Sequence, residues 1–208
     1  MELDALILGR QSVRQYDSTK PVQRELLMSV IEAGRLAPFA GLTQRGTDSV
    51  RHFFVIHRDA PVAGIILELV CASVQEDAKM LDKPGFPEKY PAFSSVLKNL
   101  SEKKPTLAFV FPSEWTILVA ERRGYPVREE ECLGFVQAFM ALKATDLGLG
   151  TRPCSAIHDI RDKAALGRLL ELEGDYVFDG MNIGWPSAAL PTRTEPRQLP
   201  VKSVRFFL

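Results

Sequence analysis

Cysteine and histidine are both scarce in this chain of 208 residues, with three of each. The cysteines are odd in number, and their spacing matches neither a disulfide framework nor a set of zinc ligands. His52 and His57 flank a predicted strand and share no metal-binding spacing with a pair of carboxylates, so we expect no metal site. Cysteines without disulfide partners are typical of a reducing compartment, and we therefore expect a cytoplasmic protein.

Long apolar runs and net charge are also lacking. No run reaches the roughly 18 apolar residues that span a bilayer, and the first residues are acidic where a signal peptide is basic. The 26 basic residues balance the 26 acidic ones. A neutral chain has no overall field that attracts nucleic acid or an anionic membrane, so any anion site has to be local. We expect a small-molecule partner, and neither nucleic acid nor membrane.

No internal repeat, low-complexity stretch or linker divides the chain, and 46% of its residues are hydrophobic. That content is sufficient for one core, so we expect a single domain over residues 1–208. Apolar periodicity and β-rich runs indicate an α+β arrangement. The expected helices are 23–36, 62–80, 94–103, 128–147 and one from Asp159 to about 172, and the expected strands are 52–57, 106–111 and 175–186.

Two further segments have no regular period. Residues 111–127 are irregular and aromatic, which makes them a candidate lid over a site. Residues 187–208 are rich in proline and predict an extended C-terminal arm. Because such an arm is rarely stable alone, we expect it to lie on the body of the protein or on a partner subunit.

The segment LGLGTRP at 147–153 begins like a dinucleotide-binding fingerprint. Gly148 and Gly150 supply the first two glycines, but Pro153 stands where the third belongs, and the segment follows a predicted helix instead of a strand. We interpret it as a helix stop. Cys154 and His158 offer a nucleophile and a base four residues apart, although an inert, buried cysteine is the more frequent case.

The segment RQSVRQYDSTKPV at 10–22 is the strongest candidate for an anion site. In an extended chain Arg10, Ser12 and Arg14 lie on one side, because strand side chains alternate. Two guanidinium groups and a hydroxyl suit a phosphate, which accepts bidentate hydrogen bonds. Taken alone, the segment is more typical of a solvated helix end, since surface arginines are common.

Four segments, read in order, resemble the nitroreductase family: RQSVRQYDSTKPV, IEAGRLAPFAGLTQ, LGLGTRPCSA, and NIGWP followed by a basic, proline-rich tail. Members of that family are FMN-dependent oxidoreductases and obligate dimers. The resemblance implies an α+β, nitroreductase-like fold: a central, mostly antiparallel sheet flanked by helices, with the C-terminal arm 187–208 exchanged in a homodimer.

The resemblance also implies roles for individual residues. Arg10, Ser12 and Arg14 match the residues that bind the FMN phosphate and ribityl chain, and Gln11 matches one at the pyrimidine edge. Lys98 and Asn99 match, more loosely, a second pyrimidine contact. In the tail, Arg197, or alternatively Arg193, matches a late basic residue that returns to the phosphate.

Two further segments match parts of the family that contact the flavin ring. Pro38, Phe39 and Ala40 match a turn that packs on the flavin of the partner subunit, although Phe39 stands in place of a serine and Leu42 in place of an asparagine. Pro153-Cys154-Ser155-Ala156 matches the loop whose backbone N–H groups approach the reactive edge of the flavin, with alanine in place of the last glycine.

The activity implied is hydride transfer from NADH or NADPH through flavin N5 to an acceptor such as a nitroaromatic or a quinone, by a ping-pong mechanism. No catalytic side chain is required, because the flavin carries the chemistry. Because Phe39 and Leu42 depart from the family pattern, a flavin-binding or flavin-handling protein without NAD(P)H turnover is an alternative function. A specialised member (flavin fragmentation, dehalogenation or thiazoline oxidation) and a flavin-free helical interaction protein are further alternatives.

Overall fold

Four antiparallel strands form the centre of the molecule in a computed structural model that describes residues 2–39 and 50–189. Their order across the sheet is β1-β2-β4-β3, and every neighbouring pair is antiparallel. The strands are β1 (Arg51–His57), β2 (Trp115–Arg122), β3 (Gly150–Pro153) and β4 (Tyr176–Gly184). An antiparallel sheet between helices is the α+β arrangement that the sequence predicts.

Helices cover both faces of this sheet. They are α1 (Leu3–Gly9), α2 (Arg24–Arg35), α3 (Pro61–Ala78), α4 (Phe86–Lys89), α5 (Pro91–Lys103), α6 (Leu107–Val110), α7 (Glu129–Asp146), α8 (Ser155–His158) and α9 (Lys163–Leu169), with a 3₁₀ turn at Lys79–Asp82. Among these described elements, no helix is long and apolar enough to cross a membrane.

Two cores follow from the alternation of side chains along the strands. Ile117 and Val119 of β2 face one side and pack with residues of α2 and α7. Leu118 and Ala120 face the other side and pack with residues of α3, α6, α8 and α9. Since successive residues of a strand point to opposite faces, a strand buried on both faces is apolar throughout.

Helix α7 is apolar around most of its circumference. Val136 and Met140 are fully buried against the sheet and α2. On the outer face, Phe135 remains 50% exposed and Phe139 remains 38% exposed. A helix that is apolar on both sides is typical of one that is covered on both sides.

The prediction of a strand at 106–111 is wrong, and so is the prediction of an irregular lid at 111–127. Residues Leu107–Val110 form the single turn α6, and Trp115–Arg122 form the central strand β2. Both runs are short and apolar, and hydrophobic periodicity cannot distinguish a buried strand from a buried helical turn of that kind. Pro105, just before α6, suits a helix start as well as it suits a strand boundary.

The helix predicted from Asp159 to about 172 starts later and ends earlier, as α9 (Lys163–Leu169). Ser155–His158 form α8, and α9 starts only after Asp162, whose carboxylate accepts a hydrogen bond of 2.8 Å from the Ala165 N–H. Asp162 is therefore the capping residue, because its side chain pairs an otherwise free N–H of the first turn. The other predicted helices and the strands at 52–57 and 175–186 are confirmed, and Gly148, at φ +75°, ends α7 as expected.

Candidate functional site

The N-terminal segment 10–17 runs along the outer edge of β3. Ser12 pairs in parallel with Thr151, and the Val13 N–H donates a hydrogen bond of 2.9 Å to the Thr151 carbonyl. Further along, Tyr16 pairs with Pro186, and the Asp17 N–H donates to the Trp185 carbonyl at 2.9 Å. The segment therefore lies beside both β3 and the exit of β4, although neither is near it in sequence.

Val13 fixes which side chains of this segment face outward. Val13 is buried against Gly150, where an added Cβ would lie only 2.6 Å from Val13 Cγ2. Ser12 and Arg14 point away from Val13 because the backbone is extended there. Arg10 follows the end of α1 with extended dihedral angles and is half-buried. The sequence predicts an extended chain here, with the side chains of Arg10, Ser12 and Arg14 on one side. The backbone at Arg10 has the extended dihedral angles that this prediction requires.

A concave surface of about 270 Å³ opens beside Ser12 and Arg14. Its lining is Ser12–Gln15 from the N-terminal segment and Pro186–Ala189 from the chain after β4; we call this surface the cradle. The Ser187 N–H donates a hydrogen bond of 3.1 Å to the Gln15 carbonyl and so joins its two sides. Within residues 2–39 and 50–189, neither Arg10 nor Arg14 forms an ion pair with a carboxylate.

Tyr16 holds the segment in place. Its hydroxyl donates a hydrogen bond of 3.0 Å to the Val13 carbonyl, and its ring occupies the space above Gly184, where a Cβ would lie 2.9 Å from Tyr16 Cδ1. Burial raises the pKa of Tyr16 well above its ordinary value, so the phenol stays neutral. Sequence reasoning missed this residue, and only its position in the RQSVRQY segment could have drawn attention to it.

The segment at Pro153–Ala156 follows directly on β3. Cys154 is fully buried, its N–H donates to the Gly180 carbonyl at 2.7 Å, and its thiol contacts the Val110 carbonyl at 3.3 Å. Burial raises the pKa of the Cys154 thiol. A nucleophilic cysteine has to be a thiolate, so this burial opposes the pairing of Cys154 with His158 as nucleophile and base.

The backbone of the two following residues is free to bind a ligand. The N–H groups of Ser155 and Ala156 donate no hydrogen bond within the described part of the chain. Both belong to the first turn of α8, where the N–H groups have no partner inside the helix. These are the N–H groups that the family resemblance assigns to the reactive edge of the flavin.

Arg152 is a third arginine in this region, between the cradle and Pro153. Its Nη2 donates a hydrogen bond of 3.3 Å to the Phe109 carbonyl, and its guanidinium lies 5.9 Å from the centre of the Phe109 ring. Sequence reasoning missed it, because only the pairing of Ser12 with Thr151 places Arg152 of β3 beside the segment 10–17.

An apolar pocket of about 180 Å³ lies beside Ser155 and Ala156. Phe93 and Val96 of α5 and Phe109 of α6 line it, and all three keep a large exposed surface. Asp77, at its rim, forms an ion pair with Arg161. The pocket itself therefore presents mainly aromatic and aliphatic surface.

The remaining predicted site residues lie elsewhere. Lys98 and Asn99 are on the exposed side of α5, with Lys98 Nζ 4.0 Å from a Glu102 carboxylate oxygen. Pro38 and Phe39 follow the end of α2 and are exposed. Gln11 is half-buried and precedes Ser12 of the cradle in the chain. Three predicted positions, Ala40, Arg193 and Arg197, lie outside the described residues, as does the departure Leu42.

The fold and this site define the class of protein. A four-stranded antiparallel sheet between two layers of helices is the nitroreductase-like fold, and the cradle lies at its edge. The sequence profile of the nitroreductase family matches residues 7–185. The chain belongs to the nitroreductase family. No curated protein matches it.

Solved structures share the fold over nearly the whole chain. A BluB-like flavoprotein from Clostridium difficile 630 is 23% identical with a TM-score of 0.70, over 100% of this chain and 99% of that one. Iodotyrosine deiodinase bound to FMN and 3-iodo-L-tyrosine is 18% identical with a TM-score of 0.65, over 99% and 100%. A variant of the FMN- and NADPH-dependent nitroreductase NfnB from Sphigopyxis sp. strain HMH is 16% identical with a TM-score of 0.63, over 100% and 99%.

Proposed function

We propose that this protein is an FMN-dependent oxidoreductase. Bound FMN would supply the redox chemistry, with hydride passing from NADH or NADPH through flavin N5 to an acceptor such as a nitroaromatic or a quinone, in a ping-pong cycle. The observation that carries the proposal is the cradle with Ser12 and Arg14 in its lining, in a chain of the nitroreductase family.

The cradle suits a phosphate group in its charge and its hydrogen-bond donors. The FMN phosphate is a dianion, and a chain without net charge has to supply local positive charge to bind it. Arg10 and Arg14 have no carboxylate partner among the described residues, so their donors remain available. The Ser12 hydroxyl adds a neutral donor between them, and Arg193 or Arg197 of the arm would complete the set.

The chain's role at the reactive end of the ligand is to orient it and to stabilise charge. The free N–H groups of Ser155 and Ala156 can donate to a flavin ring edge that becomes more negative on reduction. Such donors depend on the backbone and not on side-chain identity, so the cysteine and serine at 154 and 155 need no chemical role. We assign no catalytic side chain.

The apolar pocket beside Ser155 suits the ring of an aromatic acceptor. Phe93, Val96 and Phe109 present apolar surface there, and an apolar lining with a few polar groups is typical of a small-molecule site. Lys98 and Asn99 remain proposed contacts to the flavin pyrimidine from the same helix α5.

A second copy of the chain is the proposed partner. The outer face of α7, with Phe135 and Phe139 exposed, offers an apolar surface of the kind that a homodimer buries. Pro38, Phe39 and Ala40 would then reach the flavin of the opposite subunit, and the arm 187–208 would exchange between subunits. The free cysteines are consistent with the cytoplasmic location that we propose.

One anaerobic absorption spectrum tests the proposed function. Purified protein should be yellow or become so with added FMN, and the flavin absorbance should fall on addition of NADH or NADPH and return with a nitroaromatic or quinone. Protein that takes up no FMN, or bound FMN that stays oxidised with both nucleotides, contradicts the proposed activity.

The second of those results supports the alternative, a flavin-binding or flavin-handling protein without NAD(P)H turnover. Phe39 favours this reading, because an aromatic ring 56% exposed stands where the family has a serine. A specialised reaction such as flavin fragmentation, dehalogenation or thiazoline oxidation is the third possibility, and assays with candidate acceptors against reduced flavin separate it from general nitro or quinone reduction.

A further inference from the structure

Arg51, the first residue of β1, forms a buried ion pair with the residue directly opposite it on β2. Its Nε donates a hydrogen bond of 2.8 Å to Glu121 Oε2, and its Nη2 lies 2.7 Å from the same oxygen. The Arg51 side chain is 9% exposed and the Glu121 side chain 1%. Burial raises the pKa of Glu121 while the Arg51 charge opposes that rise.

The rest of the Arg51 guanidinium binds backbone carbonyls where α2 ends. Its Nη1 donates to the Ala37 carbonyl at 3.0 Å and to the Gly34 carbonyl at 3.3 Å, and its Nη2 donates to the Pro38 carbonyl at 2.9 Å. The last carbonyls of a helix have no partner inside it, and the helix dipole favours a cation there. A planar guanidinium can serve these acceptors and a carboxylate together, whereas an ammonium group cannot.

The contact to Pro38 goes further than the fold requires. Pro38 and Phe39 are exposed and contribute nothing to either core. Pro38 and Arg51 also flank residues 39–50 in the sequence. One guanidinium therefore connects the chain at the end of α2 to the start of β1.

We propose that Arg51 is a positioning residue for the flavin site, which it serves by fixing Pro38 and Phe39 in the place from which they contact the flavin of the partner subunit. This inference rests on the proposed function. The Arg51 side chain is buried and would touch neither flavin nor substrate. The affinity for FMN would nevertheless depend on it.

The test separates this role from simple stabilisation of the fold. Arg51→Met alone leaves Glu121 buried without its partner and is expected to destabilise the protein. The double variant Arg51→Met/Glu121→Met replaces the whole pair by apolar side chains, which restores stability in comparable buried pairs but does not restore the carbonyl contacts. Arg35→Met, in the last turn of α2 with an exposed partner at Glu32, is the matched control.

We expect the double variant to unfold in urea at a higher concentration than Arg51→Met alone, and yet to bind FMN about tenfold or more weakly than the wild type, the scale of one lost hydrogen bond to a charged group. Its visible circular dichroism with bound FMN should also change, while Arg35→Met should match the wild type in every measurement. A double variant with wild-type stability and wild-type FMN affinity overturns the role of Arg51 and leaves the proposed function intact. Wild-type protein that binds no FMN overturns both.

Discussion

Arg10 and Arg14 differ from three other arginines of this chain in their ion pairing. Arg35, Arg128 and Arg161 each form an ion pair with a nearby carboxylate, whereas Arg10 and Arg14 have none within residues 2–39 and 50–189. Arginines left without a carboxylate partner beside a concave surface have donors to offer an anionic ligand. Arg168 also has no carboxylate partner among the described residues, so at the residue scale it is its place on the concave surface that distinguishes Arg14.

Replacement of Arg14 should weaken FMN binding without unfolding the protein. Arg14→Ala removes the charge-assisted contact that we propose to the phosphate, so we expect the FMN dissociation constant to rise about tenfold or more. The free energy of unfolding should change by less than about 0.5 kcal/mol, because Arg14 is exposed. Fluorescence titration of FMN measures the first quantity and urea denaturation the second. Arg168→Ala, at an exposed arginine of α9, is the control and should bind FMN as the wild type does.

At the scale of secondary-structure elements, two short apolar segments of similar composition form different elements. Residues 106–111 and 115–122 are both apolar and short, yet the first contains the single turn α6 and the second is the central strand β2. β2 pairs with β1 on one side and with β4 on the other, so its residues from Thr116 to Glu121 are all buried. The neighbouring strands, and not the local sequence, decide which run enters the sheet.

Two leucine substitutions distinguish these two elements. Leu118→Ala in β2 removes a fully buried side chain and should lower the free energy of unfolding by about 2–5 kcal/mol. Leu107→Ala in α6 affects a side chain that is already partly exposed and should cost less than about 1 kcal/mol. Urea denaturation of the two variants gives the comparison. Equal losses, or a larger loss at Leu107, would contradict the placement of β2 in the sheet.

At the scale of the whole molecule, two exposed apolar surfaces have no packing partner within the described part of the chain, and we propose that a second subunit covers them. The outer face of α7 leaves aromatic rings exposed, and Pro38 and Phe39 project from the end of α2. Single exposed apolar residues are ordinary, but several on one helix are typical of an interface. In the homodimer that we propose, this face would be covered and Pro38 and Phe39 would reach a second flavin site.

A charge on the outer face of α7 should separate the subunits. Phe135→Glu places a carboxylate where a buried interface would exclude water, so we expect a monomer in sedimentation velocity and reduced occupancy by FMN. Ile65→Glu, on an exposed position of α3, is the control and should leave both the dimer and FMN binding unchanged. Wild-type protein that sediments as a monomer with full flavin occupancy would rule out the interface role of this helix.

The candidate site was predictable from the sequence where neighbours in space are neighbours along the chain. Arg10, Ser12 and Arg14 are separated by single residues, so local chain geometry is sufficient to predict Ser12 and Arg14 near each other, and both line the cradle. Tyr16, Arg152 and Arg51 were missed because their partners lie far away along the chain: Asn182 beside Tyr16, Phe109 beside Arg152 and Glu121 beside Arg51.

The sequence by itself determined the family, the α+β class and most helices, because these depend on local periodicity and on motifs whose order survives at low identity. Only the tertiary structure decided which apolar run became β2, that Cys154 is buried, and that the Ser155 and Ala156 N–H groups are left free. Each of these depends on contacts between distant segments. Such contacts form through packing and strand pairing, and the hydrophobic pattern of one segment does not identify the distant segment that it contacts.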